Sequence, residues 1–225
     1  MVGSVPALST VPLPRRPSDP GVPDAGGPPA GPEVRARHWY ENDLGWATVP
    51  GRPLRLLTGV RFDVLDVPAE AGAGALRHLA PGSPVALRGD RMGLLLAAGS
   101  AEELPGLLDW LEWGAVALDL RVLGAGDAME APVPPVAGRA GVTPTRDGSL
   151  AGSVQGAAVW LRPPGPGGEV EASLPAMPAL GREKSAPDLV RLVDTVAAHC
   201  HRVRLRRLRA ALPTACRRDQ PLAFS

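Results

Sequence analysis

The 225-residue sequence has no isoleucine, one lysine (Lys184), one asparagine (Asn42) and one tyrosine (Tyr40). Those residues need A/T-rich codons, so their scarcity points to a GC-rich bacterial genome rather than to a chemistry. Twenty-four basic residues against 23 acidic ones leave a net charge of +1, which excludes a strongly basic nucleic-acid coat or an acidic tail. Because all the basic residues but one are arginine, a lone arginine is a weak sign of phosphate binding. Only two cysteines are present, Cys200 and Cys216, and they form neither a CxxC pair nor a disulfide framework. No stretch approaches the ~18 apolar residues a membrane span needs. No basic segment followed by an apolar one opens the chain, so no secretory signal is read. A reducing, cytoplasmic setting without membrane contact is the expectation. The chain also lacks a GxxxxGK[ST] phosphate loop. Gly124-Ala-Gly126 lacks the third glycine and the helix of a dinucleotide fingerprint.

Glycine and proline are abundant, at 27 each. Residues 1–32 concentrate them with no periodic apolar pattern, the composition of a disordered arm. Within it, Val11-Pro-Leu-Pro-Arg-Arg offers a polyproline segment to a protein partner. Residues 33–162 read as one domain, 163–184 as a linker, 185–212 as an amphipathic basic helix, and 213–225 as a tail.

Inside the domain, residues 33–49 suggest a short helical stretch. Leu54–Leu57 and Phe62–Val67 read as strands, the second stopped by Pro68, which cannot donate to a ladder. Gly72–Leu79 suggests a short helix. Pro84–Leu87 and Met92–Ala97 form a hairpin across Gly89-Asp90. Ser100-Ala-Glu-Glu103 has the form of a capping box ahead of Leu104, Leu107, Leu108 and Leu111 at helical spacing. Val116, Leu118, Leu120 and Val122 alternate as in a half-buried strand, and Ala157–Leu161 adds an edge strand. Ser185-Ala-Pro-Asp188 opens the last helix. Its apolar stripe (Leu189, Leu192, Val193, Val196, Cys200, Val203) could dock on the core or on a separate protein partner.

One stretch rises above composition. Thr58-Gly59-Val-Arg-Phe-Asp-Val-Leu-Asp66-Val-Pro68-Ala-Glu70-Ala-Gly72 resembles the first catalytic motif of the bifunctional DNA primase/polymerase N-terminal domains, of the archaeo-eukaryotic-primase-like superfamily. Leu118-Asp119-Leu-Arg121-Val-Leu-Gly124-Ala-Gly126, followed by Glu130-Ala-Pro132-Val-Pro-Pro135, is similar to that family's later block. The resemblance covers roughly residues 38–135. It implies an α+β fold with a small mixed sheet and a few packed helices, and a nucleotidyl-transfer site. That chemistry needs two divalent metals, Mg²⁺ or Mn²⁺, held by converging carboxylates. An Asp-x-Asp on a strand places both acids on one face, because side chains alternate.

The chain departs from that pattern twice. Pro68 stands where the second acid belongs, and Asp63, three residues before Asp66, falls on the opposite strand face. Arg91-Met-Gly-Leu-Leu-Leu-Ala-Ala lacks the family's strand histidine. The resemblance thus implies a degenerate site with Asp66 and Asp119 as its matching acids and Glu70 as the remaining candidate metal ligand. The expectation is a non-catalytic accessory protein that meets single-stranded DNA or a nucleotide. Arg88, Arg91 and Arg121 would line the cleft, and Arg202, Arg204, Arg206, Arg207 and Arg209 on the last helix would touch the phosphate backbone. Two alternatives stay open: a protein-interaction module using the proline-rich arm and the last helix, and an active metal-dependent DNA primase/polymerase in which Glu70 supplies the missing acid. Asp66 as a plain strand end and an Asp119–Arg121 pair are the structural readings of the same residues. His199-Cys200-His201 carries no metal site, because i and i+2 on a helix point about 200° apart.

Overall fold

The run Phe62-Asp-Val-Leu-Asp-Val-Pro is apolar enough on both faces for a central strand, and it becomes one. In a computed structural model, residues 31–135, 156–165, 170–177 and 188–211 are described. The proline-rich arm (but for Gly31 and Pro32), half of the expected linker, and the tail lie outside them. The chain divides at Gly31/Pro32, and the description concerns the second unit.

Its elements run α1 (Pro32–His38), a wide helical turn (Trp39–Asp43), β1 (Thr48–Val49), β2 (Arg55–Leu57), β3 (Phe62–Pro68), α2 (Ala69–Ala75), a tight turn (Leu76–His78), β4 (Val85–Arg88) and β5 (Arg91–Ala97). They continue with α3 (Ser100–Trp110), β6 (Arg121–Leu123), β7 (Ala128–Glu130), β8 (Val159–Arg162), α4 (Val170–Ser173) and α5 (Leu189–Ala211). The fold is therefore α+β, but its two sheets are antiparallel rather than mixed. The larger has the order β6-β3-β5-β4-β8, and the smaller β1-β2-β7. From β3 to β6 the connectivity is β-α-β-β-α-β with spatial order 6-3-5-4, the ferredoxin-like arrangement.

The two faces of the larger sheet carry two cores. On one face, Leu65, Val67, Val85, Met92, Leu94 and Leu96 pack against α2, α3 and α5. The apolar stripe of α5 is fully spent there: Leu189, Leu192, Val193, Val196, Cys200 and Val203 are all buried. Of the two placements the sequence left open, the stripe takes the one on the core and is not available to a separate partner. Close approach is possible because α2, apart from Glu70, is built from Ala and Gly. A Cβ on Gly74 would stand 2.5 Å from the His199 ring of α5. On the other face, Phe62, Val64, Ala86 and Leu95 pack under the smaller sheet and an aromatic group of Tyr40, Trp46 and Trp160. Tyr40 donates to the Pro132 carbonyl at 2.5 Å and accepts from Trp160 Nε1 at 3.0 Å.

The structure corrects several local expectations. Ser100 lies inside α3 and does not cap it. Instead Asp63, 1% exposed on the helix side of β3, accepts the Ala101 N–H at 2.8 Å. At α5 the cap is Asp188, which accepts from the N–H groups of Val190 and Arg191. Of the alternating stretch 116–122 only Arg121 and Val122 are strand, because the ladder with β3 ends at Asp66↔Arg121. One residue further, β3 reaches Val67 and then Pro68, which has no N–H to offer. Part of the expected linker folds: α4 and the buried Leu174 cover the end of the second core.

Candidate functional site

The two sequence blocks that carry the resemblance meet in space. Thr58 Oγ1 donates to the Gly124 carbonyl at 2.6 Å, and the Thr58 N–H donates to the Asp127 carbonyl. Gly59, at φ +85°, lies so close to the Gly124-Ala-Gly126 turn that a Cβ would stand 2.2 Å from Ala125 Cα. Gly59 thus serves the contact between the two turns. From there β3 and β6 run side by side with Asp66 opposite Arg121.

Period-two alternation sorts the acids of β3 as expected. Asp63 points into the helix-side core, where burial pushes its carboxyl pKa up, partly offset by the Ala101 and Gly99 N–H groups. Asp66 faces the other way, into a cleft of about 320 Å³ between the larger sheet and β7. Its polar lining is Asp66, Arg88, Arg91, Arg121 and Glu130; the rest is apolar, including Val64, Ala86, Gly93, Leu123, Met129 and Ala158. All three arginines expected at the cleft therefore line it.

No metal geometry forms around the acids. Arg91 fills the space between them. Its Nε donates to Asp66 Oδ1 at 3.1 Å, its Nη2 to the Asp66 carbonyl at 2.8 Å, and its Nη1 to Asp119 Oδ1 at 2.7 Å. The hairpin register does this: Arg91 lies opposite Pro68, two pairs beyond Gly93 opposite Asp66 and so on the same face, and its side chain sweeps across the strand end. Burial pulls the Arg91 pKa down, but the hydrogen bonds and charges of Asp66 and Asp119 outweigh it and hold it above its ordinary value. Asp119 sits in the turn before β6 and pairs with Arg91 and Arg207, not with Arg121. Glu70 is exposed on the first turn of α2 and pairs with Arg206, so it does not reach Asp66. Among the described residues no group of three or more His, Cys, Asp or Glu converges as a metal site.

The basic end of α5 is tied to the same corner. Arg204 donates to the Ala117 carbonyl, Arg206 pairs with Glu70, and Arg207 with Asp119 at 3.3 Å. Of the five arginines expected on the phosphate backbone, only Arg202 and Arg209 are left without such a partner among the described residues. Cys200 donates weakly to the Asp119 carbonyl at 3.9 Å, and burial, with Asp119 nearby, pushes its thiol up to about 11. That makes it a buried small hydrophobe at neutral pH.

In the cleft the guanidinium charges are unequally used. Arg91 is neutralised by two carboxylates. Arg88 is loosely paired with Glu130 at 3.5 Å and is mostly exposed, while Arg121 has no ion-pair partner among the described residues. Glu130 was not foreseen as a cleft residue, because it lies in a Gly/Pro-rich stretch whose strand pairing with β2 the sequence does not announce. Among the described residues no helix is long and apolar enough to cross a membrane. No protein-family model matches the chain, and neither a curated protein nor a solved structure matches it.

Proposed function

We propose that this chain is a non-catalytic, primase/polymerase-like accessory protein that associates with a nucleotide or a single-stranded nucleic acid through the arginine-lined cleft. One observation carries the non-catalytic half: Arg91 lies between Asp66 and Asp119, so a cation is already in place where two metal ions would have to sit. The binding half rests on Arg88 and Arg121, two exposed guanidinium groups at an otherwise mainly apolar cleft, the composition of a site for an anionic ligand with an apolar body.

Equilibrium binding of labelled oligothymidylate across a salt series tests the reading. Two phosphate contacts on a single strand give a slope of log K against log salt of about −1.4, and Arg121→Gln or Arg88→Gln lowers it by about 0.7 each. No binding, or binding indifferent to both substitutions, would refute the assignment of the cleft. Mn²⁺-dependent primer extension by the native chain that vanishes in Asp66→Asn would refute the non-catalytic half. Removing the last helix is not a usable control, since α5 supplies six apolar side chains to the first core.

A further inference from the structure

The two available cleft arginines stand at opposite ends of the site, and their spacing says what kind of anion can use both. The register places Arg121, Asp66, Gly93 and Ala86 side by side on strands β6, β3, β5 and β4. Arg88 and Arg91 form the next pair on the same face, two residues further along the hairpin. Arg121 and Arg88 are therefore on the two outer strands of a four-strand span. Three interstrand steps of about 4.8 Å and a two-residue offset of about 7 Å along the strands separate their backbones by about 16 Å. Between them the floor is small and carries no free charge: Ala86 and Gly93 have little or no side chain, and Asp66 is paired to Arg91.

We infer that the cleft takes a short single strand laid across the β-strands, with successive phosphates reaching Arg121 and Arg88, rather than a free mononucleotide. This rests on the reading above that the cleft binds a nucleotide or nucleic acid, and it selects between the two. A mononucleotide carries its charge at one end and can engage one guanidinium while its body lies over Ala86 and Gly93. A chain of two or more nucleotides carries charges along its length and engages both. The middle of the floor, already neutral, adds no third phosphate contact. Single-strand grooves combine such a cationic track with tolerance for every base, since affinity comes from the backbone.

The test is length dependence, measured by fluorescence competition on the full chain with thymidine 5′-monophosphate, the 5′-phosphorylated dinucleotide pTpT, and a six-residue oligothymidylate. The expected result is a rise of about tenfold or more in affinity from the monophosphate to the dinucleotide, with little further gain at six residues. Arg88→Gln and Arg121→Gln should each weaken the dinucleotide about three- to tenfold, and together they should bring it down to the monophosphate. Both side chains are exposed, so the variants should melt with the native chain, which thermal unfolding checks. Equal affinity for monophosphate and dinucleotide, or an effect of only one arginine, overturns the two-ended inference and leaves the cleft as a mononucleotide site. No binding of any of the three overturns the inference and the reading beneath it together.

Discussion

Replacing Arg91 with alanine should both weaken the fold and create metal sensitivity that the native chain lacks. Arg91 makes three hydrogen bonds, two to Asp66 and one to Asp119. The Arg91 and Asp66 side chains are 22% and 24% exposed, whereas Asp119 is 45% exposed. The Asp119 pair then counts as a surface ion pair of about 0.5 kcal/mol. The half-buried Asp66 contacts contribute about 1.5 kcal/mol, towards the low end for hydrogen bonds to charged groups. A total near 2 kcal/mol lowers Tm by about 4–8 °C in a domain of this size. The substitution also leaves two carboxylates facing the space that one guanidinium filled, which is the minimum of an oxygen site for a hard cation. With a Kd of about 1 mM, 5 mM Mn²⁺ restores about 1 kcal/mol, or about 2–4 °C. Scanning calorimetry or thermal-shift unfolding, with and without Mn²⁺, reads both effects. A second substitution, Asp66→Asn, should abolish the Mn²⁺ gain. The reasoning fails if Arg91→Ala melts with the native chain, or if Mn²⁺ shifts the native chain and the variant equally.

Three further outcomes follow from the same structure. Tyr40→Phe removes the hydroxyl shared by the Pro132 carbonyl and Trp160 Nε1, stranding two buried groups, and should cost about 2–4 kcal/mol in urea unfolding; a change under about 0.5 kcal/mol would show that water or repacking satisfies both. Gly59→Ala forces a side chain into a left-handed backbone position against Ala125, and should cost more than about 2 kcal/mol, whereas Gly89→Ala in the hairpin turn, with open space around it, should cost less. Asp63→Asn should change the pH dependence of stability: because the folded pKa of Asp63 lies above its ordinary value, its favourable contribution is complete below the unfolded pKa and declines as pH rises through the folded one. The variant should therefore gain on the native chain as pH rises through and above the carboxylate range, and a stability difference constant with pH would contradict that.

Elements whose signal is local were legible in the sequence. β3 and the β4–β5 hairpin follow from apolar runs and the Gly89-Asp90 turn, and α3 from leucines at helical spacing. The strand read over Val116–Val122 shows where that logic stops. Alternation describes which side chains share a face, but a strand needs a partner, and β3 offers none past Asp66 because Val67 leads into Pro68 and α2. The two-to-three-residue strands of the smaller sheet are too short to carry a period at all. At the site, Asp66, Asp119, Arg88, Arg91 and Arg121 were all named from the sequence, yet their relation was not. That Arg91 would clamp the two acids depends on the hairpin register, and that Arg207 would join them depends on where α5 docks. Both are set by pairings between residues tens to nearly a hundred positions apart.

The burial of α5 against α2, α3 and β3 has a consequence for synthesis. The β-α-β-β-α-β unit is complete at Leu123, but the apolar layer that seals its helix side ends at Val203, 80 residues later. At about 5–20 residues per second, the emerging chain carries that layer unsealed for about 4–16 s. Through that interval Leu65, Leu94 and their neighbours are exposed to chaperones, to proteases and to other nascent copies. Slow translation of the stretch between Leu123 and Leu189 should lower the yield of folded protein without any change in its amino-acid sequence.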